Sequence, residues 1–266
     1  MEGTLSRLDR KAPYNGKDGY NDFNTFYMQA ASRIKVGSRG SPVIDCDGQA
    51  IGLNVGNKKE DSAAFFLPLD RLLRALRIIK KCKDGSAVHI PRGTLDMDLF
   101  HTGFDEARRL GLQRDTEQFA RQTFHAEMGI LAINSVVPEG LASALKKPLK
   151  SGDILVRVND EIVTQFLQLE TVLDDNVGKR INLEVERNGV PLKFTVQVQD
   201  LHSITPHCFL EVSGGVLHSL SYQQARNFSL KCGLVYVAEP GHMLSRAGVP
   251  RHAIIQKLAG TKNHRS

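Results

Sequence analysis

The chain has 266 residues, long enough for two domains of ordinary size with a sizeable core in each. Its 41% hydrophobic and 24% charged content is that of a soluble globular protein, and no apolar run approaches the roughly 20 residues a membrane helix needs. The formal net charge is +6, but there is no Trp and no aromatic interleaving among the basic clusters, so no nucleic-acid partner is expected.

The basic clusters have a simpler explanation. Arg71, Arg74 and Arg77 recur at helical spacing opposite Leu72, Leu73, Leu76 and Ile79, which makes them the solvated face of an amphipathic helix. Cys46, Cys82, Cys208 and Cys232 lack close metal-ligand or redox spacing, so they read as thiols, and no metal or other cofactor is expected. Met1-Glu2-Gly3-Thr4-Leu5-Ser6-Arg7 lacks the apolar stretch of an export signal. That points to a reducing compartment, cytosol or nucleus, with a plastid address left open.

In chain order, a strand-like run over 23–31 leads to the small-residue loop Gly37-Ser38-Arg39-Gly40-Ser41-Pro42. Two short strands follow, 42–45 and 50–54, joined through Asp47-Gly48, a hairpin signal. Another strand is expected over 63–68, a helix over 69–81 and a linker over 81–86. The second block pairs a strand at 129–137 with a Pro138-Glu139-Gly140 turn, a short helix at 141–146 and a strand at 154–159. A helix over 166–173 puts Phe166, Leu169, Val172 and Leu173 on one face, and two strands, 181–186 and 192–198, flank the type I′ signal Asn188-Gly189. From about His207 the order of strand, turn, helix and strand recurs more weakly, suggesting a second copy of the module.

These residues carry a family resemblance. The loop 37–42, the Asp-Gly turn and Ile51-Gly52-Leu53-Asn54 resemble the nucleophile loop of HtrA (Do-like) serine proteases, trypsin-like enzymes whose loop reads Gly-Asn-Ser-Gly-Gly-Pro. Leu149-Lys150-Ser151-Gly152-Asp153-Ile154-Leu155 resembles the Gly-Asp-apolar-apolar strand entry of that family's PDZ domain. Tyr20-Asn21-Asp22-Phe23 and Leu201-His202-Ser203-Ile204 resemble the eukaryotic plant and fungal branch, in which protease and PDZ units are duplicated. The resemblance implies a mainly β fold with α. Residues 1–81 would be the C-terminal portion of a trypsin-like barrel, 87–200 a PDZ domain and 207–266 a truncated second PDZ-like module. The chain is then expected to be an internal fragment of such a protein, with residues 1–81 marginal alone.

Serine-protease chemistry needs a hydroxyl on a tight loop, an oxyanion hole of loop N–H groups and a histidine oriented by a carboxylate. The resemblance places the nucleophile at Arg39, whose guanidinium stays protonated and cannot attack a carbonyl. Gly37, Ser38 and Arg39 would form the oxyanion loop, and Ser41 is the only fallback hydroxyl in the place of a family glycine. Every histidine, from His89 onward, follows Ser41, whereas the trypsin-like order puts histidine and aspartate before the serine. Cleavage is therefore not expected. The alternative is an active serine endopeptidase in protein quality control.

PDZ domains add an extended peptide as a strand and take its carboxylate on loop N–H groups. The resemblance assigns that loop to Arg92, Gly93, Thr94, Leu95, Asp96 and Met97, with the 166–173 helix as the other wall. Asp96 departs from the family's glycine and sets a carboxylate against a peptide's C-terminus. Expected partners are peptides or protein C-termini and related HtrA subunits.

Overall fold

The computed structural model describes residues 3–17, 19–31, 38–57, 63–81, 88–258 and 261–262. The linker expected over 81–86, apart from Lys81, and residues Cys82 and Gly37 lie outside these. The contacts divide into two compact units, one of Met1–Pro91 with Gln165–Thr171 and one of Arg92–Thr164 with Val172–Ser266.

The first unit is built on a five-stranded antiparallel sheet in the order β1-β2-β5-β4-β3. Its strands are β1 (Leu5–Lys11), β2 (Phe26–Ala31), β3 (Pro42–Ile44), β4 (Ala50–Asn57) and β5 (Ala63–Pro68). Met28, Ala30, Ala64 and Phe66 form the buried cluster, with Leu5, Val43 and Ile51 packed against it. β2 and β5 sit at the centre because they carry the continuous apolar runs that burial on both faces rewards, each large side chain contributing roughly 1.5–3 kcal/mol. The hairpin between β3 and β4 turns at Gly48, whose φ of +79° is a glycine conformation. The helix α1 (Asp70–Lys81) buries no residue, and its apolar face remains partly exposed at Leu73, Leu76 and Ile79. Arg71 donates to the Asn24 carbonyl and pairs with Glu170.

The second unit contains two main sheets in succession and, among the described residues, two short two-stranded pairs, Gly93–Thr94 with Gln199–Asp200 and Lys257–Leu258 with Thr261–Lys262. Its elements are β6 (Gly93–Thr94), β7 (Met97–Gly103), α2 (Phe104–Leu110), α3 (Arg114–Thr123), β8 (Gly129–Val136), β9 (Ile154–Val158), β10 (Glu161–Ile162), α4 (Phe166–Asp175), β11 (Arg180–Arg187), β12 (Val190–Gln197) and β13 (Gln199–Asp200). The main sheet runs β12-β11-β9-β8-β7, so β7 forms one edge, and the short β6 pairs with β13. Phe104, Ala107, Leu112, Ala120, Ile130, Ile154, Val156 and Ile162 close a core between the sheet and α2–α3.

After β13 come β14 (Leu210–Val212), β15 (Gly215–Ser219), α5 (Tyr222–Phe228), β16 (Val235–Glu239), α6 (Gly241–Arg246) and β17 (Ile254–Ile255). Here β15, α5, β16 and β17 repeat the order of β7, α2, β8 and β9, with β15–β16 and β16–β17 antiparallel like their counterparts.

Several elements differ from the sequence reading, among them β1, β7 and α2, which it did not contain. Residues 141–146 form turns rather than a helix: Ser143 and Ala144 both donate to the Gly140 carbonyl, and the turn is not propagated before Pro148. A helix absent from the sequence reading, α3, forms because its N-terminus is capped from a distance. The Glu186 carboxylate on β11 accepts the Gln113 N–H at 2.7 Å and the Thr116 hydroxyl at 2.5 Å.

Candidate functional site

Two loops carry the residues of interest, one in each unit. In the first, Arg39 stands exposed at the tip of the turn between β2 and β3. The turn is held from behind by β4. Asn54 Nδ2 donates to the Ser38 carbonyl at 2.7 Å and to the Ser38 hydroxyl at 3.0 Å, while Gly40 N–H donates to the Asn54 carbonyl at 2.7 Å. Gly40, at φ +80°, supplies the left-handed residue the turn needs. Ser41 is exposed, and its hydroxyl donates to the Ser38 carbonyl at 2.7 Å. A nucleophilic hydroxyl needs a basic nitrogen as its acceptor. The Ser41 hydroxyl donates its hydrogen bond to a peptide carbonyl instead.

In the second loop the main chain of 93–97 is enclosed. Thr94, Leu95, Asp96 and Met97 are all buried, Leu95 at 1% and Met97 at 2% exposure. Gly93 lies against the end of α4, where a Cβ would come within 2.3 Å of the Leu173 carbonyl oxygen, so no other residue fits without displacing the helix. The Gly93 N–H is taken by the Asp174 carboxylate at 2.8 Å, and the Asp96 N–H by the Thr94 hydroxyl at 3.1 Å. Arg92 is half-buried, and its carbonyl accepts from Leu201 N–H. The assigned residues are thus brought together, but two of the loop's N–H donors already serve the protein. Of the 166–173 helix, only the end from Val172 belongs to this unit.

Asp96 has a local explanation. Its φ of +56° is the left-handed conformation that glycine favours and that Asp tolerates through local hydrogen bonding. Its Oδ2 accepts the Leu141 N–H at 3.0 Å, and its carbonyl accepts Val137 N–H at 2.8 Å, tying the loop to the turn after β8. Burial pushes the carboxyl above the usual carboxylate range, partly offset by that Leu141 N–H. Oδ1 is buried and accepts no hydrogen bond from the described residues. Burial, with the Asp96 charge added, pushes the Cys232 thiol up to about 11.

Three residues to which the sequence reading gave no role of their own shape these loops: Asn54, Asp174 and Tyr222. Asn54 stood in the quoted Ile51-Gly52-Leu53-Asn54 run, and a polar residue alternating into a buried strand position is the signal that finds it. Tyr222 on α5 is 2% exposed and its hydroxyl donates to the Met97 carbonyl at 3.3 Å. Beside it Arg226 pairs with Asp98 on β7 at 3.2 Å. No periodicity links positions more than 120 residues apart, so neither contact was legible.

The model of the PDZ-like domain matches residues 203–263, the region of β14 to β17. "Protease Do-like 7" from Arabidopsis thaliana is 61% identical over 265 residues, 97% of this chain and 24% of that protein. "Pro-apoptotic serine protease NMA111" from Phaeosphaeria nodorum is 47% identical over 242 residues, 90% of this chain and 23% of that protein. The chain therefore spans about a quarter of the length of the curated relatives it matches. Among solved structures, "HtrA-type protease AlgW with decapeptide" overlaps 74% of this chain and 55% of its own at 20% identity and a TM-score of 0.42. A score at that level adds no weight to the strand pairing described above. Identity of this height, sustained over nearly all of the chain, places it in the HtrA (Do-like) serine protease family.

Proposed function

We propose that this stretch of an HtrA-family chain binds peptides through its PDZ-like part and does not cleave them. The observation that carries the second half is the loop at Arg39. Where the family needs a hydroxyl there is an exposed guanidinium, and the neighbouring Ser41 hydroxyl donates to the Ser38 carbonyl. Restoring a histidine and an aspartate from elsewhere would still leave no nucleophile at position 39.

The binding half is supported by the edge strand β7. The Asp96 carbonyl accepts from Val137, so Met97 and Val136 form a non-hydrogen-bonded pair. In such a pair the N–H and C=O of each residue point away from the partner strand. For Met97 that direction is out of the sheet, where an extended peptide would be added as a further strand. On this reading residues 1–81 are a protease-derived piece, 87–200 the peptide-binding module and 207–266 a second, PDZ-like copy. Peptides or protein C-termini, and related HtrA subunits, are its partners, and the cytosol or nucleus its compartment.

The test of non-cleavage is labelling of the purified chain with a fluorophosphonate probe, read by intact mass. The expected result is no adduct. A stoichiometric adduct at Ser41 or Ser38 would establish an active endopeptidase and overturn the reading.

A further inference from the structure

The edge of β7 that faces outward at Met97 is already occupied, and by the chain itself. The Tyr222 hydroxyl takes the Met97 carbonyl, and the Arg226 guanidinium takes the Asp98 carboxylate on the next residue. Both side chains are almost fully enclosed, Tyr222 at 2% and the Arg226 side chain at 8% exposure, so this is a packed contact rather than a surface pairing. Nearby, Lys231 in the segment between α5 and β16 reaches Glu139 in the turn after β8 at 2.7 Å. Met97 follows Asp96 directly, and Glu139 lies between Val137 and Leu141, the two residues whose N–H groups Asp96 accepts. All belong to the second compact unit.

We propose that α5 of the second repeat is a built-in latch on the first, holding the strand edge on which a peptide would be added. This rests on the peptide-binding reading above and adds its regulation. A peptide that adds to β7 needs the Met97 carbonyl as an acceptor for its own N–H, so it competes with Tyr222 for that atom. Ligand capture then requires α5 to swing away, and the apparent affinity falls by the fraction of molecules in which it has done so. The second repeat thereby acts as an intramolecular competitor rather than as a second peptide receptor.

The test compares the whole chain with a Tyr222→Phe, Arg226→Gln variant. These substitutions keep the bulk of both side chains while removing the hydroxyl and the charge. The probe is a pool of fluorescein-labelled decapeptides with a free carboxylate on a terminal Val, Leu, Ile or Phe, read by fluorescence anisotropy. Loss of the Tyr222 hydroxyl, with its bonds to the Met97 carbonyl and the Thr94 side chain, and of one enclosed ion pair is expected to tighten binding about tenfold. Amide exchange over 222–228 should quicken in the variant while exchange over 180–197 stays unchanged, which shows that the fold is intact. Equal affinity of parent and variant would overturn the latch and leave peptide binding standing. No binding by either would remove the peptide-binding reading and the latch with it.

Discussion

At the scale of single residues, Asp153 is a fully buried charge held by several partners. It is 1% exposed and receives Arg187 Nε at 2.6 Å and Nη2 at 2.7 Å, while its Oδ2 also accepts the Lys150 N–H at 2.8 Å. Arg187 Nη2 reaches the Pro148 carbonyl as well, at 2.9 Å. The Gly152-Asp153 pair quoted as a family signature thus has a physical basis. Gly152, at φ +89°, turns the chain so that Asp153 can face inward, and the carboxylate fastens the turn to β11. Without Asp153 the Arg187 guanidinium, with its side chain 24% exposed, loses its partner at a site only partly open to water. Asp153→Ala is expected to destabilise the chain by about 3 kcal/mol in urea unfolding. The double change Asp153→Leu, Arg187→Leu should recover part of that loss, because the remaining desolvation penalty disappears. A loss below about 1 kcal/mol for the single change would show that water replaces the carboxylate there.

Among the elements, those that announce themselves by local chemistry are the ones the sequence made legible. The hairpin of β11 and β12 is marked by Asn188-Gly189, and both residues adopt the positive φ of a type I′ turn, 50° and 78°. The strands β2, β4, β5, β8 and β9 follow their apolar runs, and α1 its helical spacing. What stayed hidden is built from distant parts. β1, with the sequence Leu-Ser-Arg-Leu-Asp-Arg-Lys, has only a half-buried Leu5 as its signature and exists because it pairs with β2. α3 buries Glu117 and Ala120 in place of an apolar stripe and depends on Glu186 for its cap. The expected helix at 141–146 failed although Ala142 is fully buried: its N–H groups at 143 and 144 close turns on the Gly140 carbonyl, and Pro148 follows at once. The two site loops followed the same rule, since their residue positions were readable while Asp174, Tyr222 and Arg226 were not. The join between α2 and α3 offers a test. Gly111 caps α2 in the left-handed region, at φ 106°, and a Cβ there would lie 2.6 Å from the Asn188 Cα and the Gly189 nitrogen. Gly111→Ala is expected to lower stability by at least about 1–2 kcal/mol, since strain adds to the clash. Thermal unfolding of the variant measures this, and an unchanged midpoint would mean that the hairpin turn gives way freely.

For the molecule as a whole, the two compact units are unequally provided with buried apolar surface. Phe104, Leu95, Ile130, Leu131, Ile133, Ile154, Leu155, Ile181 and Leu183 are fully buried in the second unit. The first unit leaves Leu8, Tyr14, Tyr20 and Ile44 more than half exposed, whereas over 129–197 Val190 is the one large apolar side chain so exposed. Local opening is easiest where few apolar contacts resist it. Brief chymotrypsin treatment is therefore expected to cut within 3–81 before it cuts within 129–197, with the fragments identified by mass. First cleavage inside β8 to β12 would reverse that order. The loop at Arg39 bears on how such a chain changes over generations. Its shape is held by Asn54 on the strand behind it, and the Arg39 side chain stands exposed at the tip. Replacing the tip residue is then invisible to folding stability, so a lineage can discard the reaction without discarding the scaffold. The same separation runs in reverse: a single codon change at position 39 would return a hydroxyl to a turn that still keeps its form.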